Sequence, residues 1–281
     1  MARPVNAILC CLLLTGAPLG AGPPRPESGV HKVSLTRVVR IPVVVLNAQG
    51  TATRAGAQDV RTLMFSPGAV DELPEGPDGF DVLDDGNLLI TDPLRDRVAV
   101  FDAEGAFRQE WKIGFAADGV TVLPSGVVLV REANSGQLHA FDQEGNPRSS
   151  EGATLPEREE ARLLSATSGL VMRPGAGGGQ GRPINIQFDK PGSRLLSLES
   201  LGTDREGNTY VALEATGGGE AVDVNKYVRR YAADGKLAAE IGDIPLDYYV
   251  RPVDELRVHK GIVYQLMTTS SEVHINVWDT N

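Results

Sequence analysis

"FDAEGAF" (residues 101–107) returns 40 residues later as "FDQEGNP" (residues 141–147), with the aromatic, the acid and the glycine in the same places. Further copies are "FDKPG" at Phe188, "YAADG" at Tyr231 and "WDTN" at Trp278, so the steps are 40, 47, 43 and 47 residues. A second motif precedes each copy: "DDGNLLITD" (84–92), "PSGVVLVRE" (124–132), "TSGLVMRP" (167–174), "REGNTYVAL" (205–213) and "HKGIVYQLM" (259–267). Each unit reads as apolar strand, glycine turn, apolar strand, variable loop, strand ending in aromatic–acid, second glycine turn and final strand. Glycine supplies the positive φ that such hairpin turns need. Four strands in a unit of roughly 40–50 residues is the signature of a β-propeller blade. The acid of each copy is expected to start a turn and the aromatic to pack between neighbouring blades.

The stretch "PDGFDVLDDGNLLITDPLRDRVAVFDAEGAFRQEWKIG" (residues 77–114) resembles the NHL-repeat propellers. It carries Pro-x-Gly, a strand, Asp-Gly-Asn, a strand ending in Asp, a loop ending in Arg-Val, then Val-Phe-Asp and Gly. Looser copies fill most of residues 77–281. Asp92 is replaced in register by Glu132, Leu213 and Met267, and Arg97 by Gln137, Tyr227 and His274. The resemblance implies a fold and not a function, since propellers host many activities.

The last unit stops at Asn281, where its second turn should begin, and so lacks its fourth strand. "KVSLTRVVRIPVVVL" (residues 32–46) is strand-like and otherwise unassigned. It is expected to supply that strand and close the ring, because an open edge invites aggregation. Residues 47–76 then form a short first blade, giving six; five is the alternative. The segments 148–162, 173–183 and 215–223 read as long loops between strands. None has the Lys-Ser/Thr ending and following helix of a phosphate loop.

"MARPVNAILCCLLLTGAPLGAGPP" (residues 1–24) has the layout of a secretory signal, with Arg3, an apolar run over 7–14 and a cleavage site at Leu19-Gly20-Ala21. The apolar run is too short to span a bilayer. Residues 1–21 are therefore expected to be a signal peptide, 22–31 a disordered arm and 32–281 the all-β propeller, secreted or periplasmic, with no transmembrane segment after cleavage. Both cysteines, Cys10 and Cys11, lie in the leader, which excludes thiolate chemistry and cysteine–zinc sites in the mature chain. The net charge of −10 has no basic stripe within it, which argues against a nucleic-acid partner.

His31, His139, His259 and His274 show no local metal-pair spacing, and there is no Gly-x-Ser-x-Gly elbow. Loops between strands two and three, and those joining blades, share the face where propellers usually hold ligands. That face should carry Asp92, Arg95, Asp96, Arg97, Arg131, Glu132, Asn134, Glu214, Tyr248, Tyr249 and Arg251. As candidate binding residues, Arg95, Arg97, Arg131, Glu132, Asn134, Glu214, Tyr248 and Arg251 suit a polar small molecule, glycan, peptide or protein, bound by a monomer. A lactonase-like hydrolase or lyase is the alternative, with Ca2+ held by Glu132, Asn134 and Glu214.

Overall fold

The computed structural model describes residues 29–47, 59–69, 71–152, 154–155, 162–163, 168–174, 180–187, 193–216 and 223–281. The expected signal peptide and most of the expected arm lie outside them. Three strands come first: β1 (His31–Val33), β2 (Arg37–Val45) and β3 (Leu63–Phe65). The first sheet is an antiparallel meander of β4 (Phe80–Val82), β5 (Leu88–Asp92), β6 (Arg97–Phe101) and β7 (Phe107–Lys112). The second repeats it with β8 (Ala117–Val122), β9 (Val128–Glu132), β10 (Leu138–Phe141) and β11 (Pro147–Arg148). The third holds β12 (Arg162–Leu163), β13 (Ser168–Pro174) and β14 (Gln180–Gln187). The fourth is β15 (Leu195–Thr203), β16 (Thr209–Thr216), β17 (Val224–Tyr231) and β18 (Leu237–Ile244), with β1 added parallel to β18. The fifth is β19 (Leu256–His259), β20 (Ile262–Thr268) and β21 (Glu272–Asp279), continued by β2 and β3.

The chain is an all-β propeller, and the packing between sheets is that of a ring. Phe101, at the end of β6, lies in the core joining the first sheet to the fifth. Phe141 and its stacked neighbour Trp111 join the second sheet to the first. Tyr231 joins the fourth to Ile184 and Ile186 of the third, and Trp278 joins the fifth to the fourth. Phe101, Phe141, Tyr231 and Trp278 thus each pack against the preceding sheet, and the first sheet packs against the last; Phe188 lies outside the described residues. Two acids of the repeat cap their own turns. Asp102 Oδ1 accepts the N–H groups of Glu104 and Ala106, and Asp142 Oδ1 those of Glu144 and Asn146. Gly105 and Gly145 follow at φ 87 and 86, a region that favours glycine.

Strand β2 takes the place of the missing fourth strand of the last sheet, pairing antiparallel with β21 from Arg37↔Val277 to Pro42↔Glu272. Its alternation of Val39, Ile41 and Val43 inward with Arg40 and Pro42 outward is the period of a half-buried strand. Three expectations need correction. The described residues form five sheets, the alternative count, and Leu63–Phe65 joins β2 in parallel. Pro67 and Pro74 remove backbone donors from the rest of that segment. His31, assigned to the arm, begins β1 and pairs with Ala239. Segment 173–183 is strand at both ends, and the third sheet shows three strands among the described residues.

Candidate functional site

Strand direction decides which side chains can meet. The inner strands β4, β8, β15 and β19 begin at one end of the ring. Second strands finish there and third strands start there. The capped hairpin turns occupy the opposite end. Residues just before an inner strand, or late in a second strand, therefore share the mouth of the central channel.

Asp78 and Gly79 precede β4, as Asp118 and Gly119 open the apolar part of β8 and Asp254 and Glu255 precede β19. The fifth, first and second sheets thus each bring an aspartate to the mouth at one register. The first two strands approach closely: a Cβ on Gly79 would lie 2.9 Å from the Asp118 carbonyl oxygen and from Gly119 Cα. Glycine is required by that contact.

The three aspartates have different partners. Asp254 accepts from Arg257 at 2.7 Å. Asp118 Oδ1 accepts from Arg131 Nε at 2.7 Å, and the guanidinium lies over Gly119. Neither Nη of Arg131 has a hydrogen-bond partner among the described residues. Asp78 has no cation bound to it among the described residues. Its Oδ1 accepts from Thr91 Oγ1 at 3.1 Å, while its backbone oxygen accepts from Val253 N at 2.8 Å. Burial pushes its carboxyl up to about 7, helped by the Asp118 charge and opposed by the Thr91 hydrogen bond and Arg131.

Deeper in the channel Arg257 joins three inner strands. Its Nη2 donates to Val120 O at 3.3 Å, and Nε lies 3.8 Å from Asp81 Oδ1. Asp81 Oδ2 accepts from Val122 N at 2.7 Å. Burial raises the Asp81 pKa against the pull of Arg257. Across the fourth and fifth sheets, Lys226 bridges Glu214, at 3.0 Å, and Glu255. Gln265, fully buried, donates to Glu255 at 2.8 Å and accepts from Asn276 at 3.0 Å. These two networks tie blades together. The Asp78–Asp118–Arg131 group leaves donor and acceptor atoms unused, so it can take a ligand.

The sequence-predicted residues divide. Arg97 is 1% exposed; it donates to Asp92 and Glu110 at 2.8 and 2.7 Å and to the carbonyls of Val60 and Thr62. It is a tie between strands. Arg95 donates to Thr62 O and lies 3.7 Å from Asp92. Glu132 accepts from Ser135 Oγ at 2.6 Å and sits 3.6 Å from His139 Nε2. Asn134 is exposed on the loop after β9. Glu214 accepts from Ser197 at 3.2 Å besides pairing with Lys226. The Tyr248 hydroxyl is buried beside Glu255, and burial raises its pKa. Arg251 is exposed; against burial, Lys226 chiefly, then Ser197 and Arg251, hold the Glu214 carboxyl low. Of these only Arg131 belongs to the underused group. Among the described residues no three His, Cys, Asp or Glu side chains converge on a point where a metal could sit.

Asp78, Asp118, Lys226, Glu255 and Arg257 were not singled out from the sequence. A signal for the first two existed: "PDGFDV" (77–82) and "ADGVTV" (117–122) repeat Asp-Gly at the same 40-residue step.

No family model matches the chain, and no curated protein matches it. Among solved structures it is similar to a virginiamycin B lyase from Staphylococcus aureus, at 9% identity and TM-score 0.37, covering 72% of this chain and 94% of that one. A gluconolactonase from Xanthomonas campestris follows at 11% and 0.32, covering 72% and 86%. BamB from Moraxella catarrhalis follows at 10% and 0.25, covering 88% and 97%. Likenesses this distant carry nothing about activity. Among the described residues no helix is long and apolar enough to cross a membrane.

Proposed function

We propose that this chain is an exported NHL-like propeller that binds a polar ligand, or a polar segment of a partner protein, at its channel mouth. One observation carries the reading: among the described residues Asp78 lacks a bound cation, while its two neighbours, Asp118 and Asp254, each have one. A ligand offering a hydroxyl or amine to Asp78 and an acceptor to the unused Nη groups of Arg131 would complete the group. Sugars and peptides have that chemistry. The leader-like residues 1–21 support export. The metal-dependent hydrolase reading has less support, because Glu132 and Glu214 are engaged by Ser135 and Lys226.

Calorimetry against a panel of glycans and peptides tests this. Arg131→Ala should weaken the best ligand by about 1.5–3 kcal/mol, roughly 10- to 150-fold. Glu104→Gln, in a turn at the opposite end, should bind as the unmodified protein does. Equal binding by both variants would remove the mouth as the site.

A further inference from the structure

Three of the six large apolar side chains that are exposed among the described residues gather beside the mouth: Leu73 at 88%, Tyr249 at 49% and Val253 at 48% exposure. They sit on two loops that the fold ties into one surface. Residues 66–75 close on themselves through Ser66 and Glu75, whose backbones exchange hydrogen bonds of 2.7 and 2.8 Å. Phe65, at the base of that loop, meets the Tyr249 ring edge-on at 5.2 Å. A Cβ on Gly76 would lie 3.1 Å from Phe65 and 3.6 Å from Val250. Val253 N reaches back to Asp78 O.

The charges on this surface are one-sided. Asp71, Glu72, Glu75 and Asp247 are exposed, and none pairs with a cation among the described residues; the two loops offer Arg251 alone on the positive side. Other described acids, such as Asp102 and Asp142, face a nearby base, Arg108 and Arg148. Apolar anchors ringed by unpaired carboxylates complement a cationic partner, and two such faces from two copies would repel.

We propose that this face, built from residues 66–69, 71–75 and 245–253, docks a basic segment of a partner protein that carries aliphatic side chains between its cations. Leu73 and Tyr249 take the aliphatic groups, and Asp71, Glu72, Glu75 and Asp247 take the cations.

The test uses three labelled ten-residue peptides at physiological salt, read by fluorescence anisotropy: arginine alternating with leucine, arginine with serine, and glutamate with leucine. The arginine–leucine peptide should bind, with the other two at least about tenfold weaker. Leu73→Ser, at a largely exposed position and so harmless to the fold, should weaken binding roughly tenfold. Asp71→Asn/Glu72→Gln/Glu75→Gln should do the same. Glu104→Gln/Glu144→Gln/Glu206→Gln, equal in charge change but placed on the opposite turns, should leave it unchanged. The proposal is overturned by absence of binding, by equal binding of the arginine–serine peptide, or by insensitivity to Leu73→Ser. A dimer in sedimentation that Leu73→Ser abolishes would also overturn it, by assigning the face to self-association.

Discussion

Ile41→Ala examines ring closure at its centre. Ile41 is fully buried in the core shared by the fifth and first sheets, and it lies in the strand that completes the fifth. Removing a buried isoleucine to Cβ costs about 2–5 kcal/mol. For a chain of this size that lowers the melting temperature by roughly 4–20 °C. The wider loss can be bounded in the same way. Val39, Ile41, Val43 and Val44 are all buried. At about 1.5–3 kcal/mol each, they contribute roughly 6–12 kcal/mol, comparable with the whole stability of a domain. A chain lacking residues 31–46 should therefore aggregate or remain unfolded. Arg40→Ala is the control: its side chain faces solvent and makes only a 3.5 Å pair with Glu272, so the change should stay within about 0.5 kcal/mol. The assays are thermal melts by circular dichroism and sedimentation velocity. If Ile41→Ala melts with the parent, or the truncated chain stays monomeric and cooperative, β2 does not hold the ring closed.

Three further outcomes are expected. Arg97→Ala leaves buried Asp92 with only the 3.7 Å contact to Arg95 as an ion pair among the described residues and should cost about 3–5 kcal/mol in urea unfolding, and Arg97→Lys should not restore it because the two-armed guanidinium geometry is lost. Gly145→Ala puts a Cβ into the Trp111 indole at a residue with φ 86, so it should destabilise by about 1–3 kcal/mol and alter Trp fluorescence; unchanged emission and melting would refute the contact. Asp78 holds its proton more tightly in the folded state, up to about 7 against a usual 3.8, so its contribution is full below about pH 4 and is lost as the pH rises through about 7. Asp78→Asn should remove that fall, worth roughly 1–4 kcal/mol; parallel stability–pH curves for both proteins would count against a raised pKa.

The repeat was legible because its signals are local. An aspartate caps N–H groups two and four residues on, a glycine takes positive φ, and an aromatic ends a strand; all are visible in "FDAEGAF". Ring closure was legible for a complementary reason, a missing last strand and an unassigned first one. Leu63–Phe65 was not, since three residues are too few for periodicity and a parallel pairing with β2 has no turn to announce it. Arg97 looked like a face residue from its register. Its burial depends on the carbonyls of Val60 and Thr62, which arrive from a distant segment. Lys226 and Arg257 escaped notice similarly: strand position is local, but the carboxylates that meet them are set by how blades pack.

The two ends of the strands treat the same side chain in opposite ways, and this separates structure from function here. At the turn end Asp102 and Asp142 sit among their own backbone N–H groups, which hold both carboxyls below the usual range. Such acids are fully satisfied by the turn they make, so a ligand would have to break that turn to reach them. Asp78 at the mouth and Asp81 deeper in the channel are both raised by burial. Asp81 is nonetheless fixed between Val122 N and Arg257. Asp78 is held by a single hydroxyl and faces an arginine with unused donors. A group in that condition gains from a new partner without first losing an old one. Among the mouth aspartates Asp78 alone meets that condition, which is why the Asp78→Asn variant is the sharpest discriminator: it keeps the Thr91 hydrogen bond and the volume while removing the charge. Unchanged affinity of that variant for a ligand that Arg131→Ala weakens would mean that the ligand reads the guanidinium and not the pair.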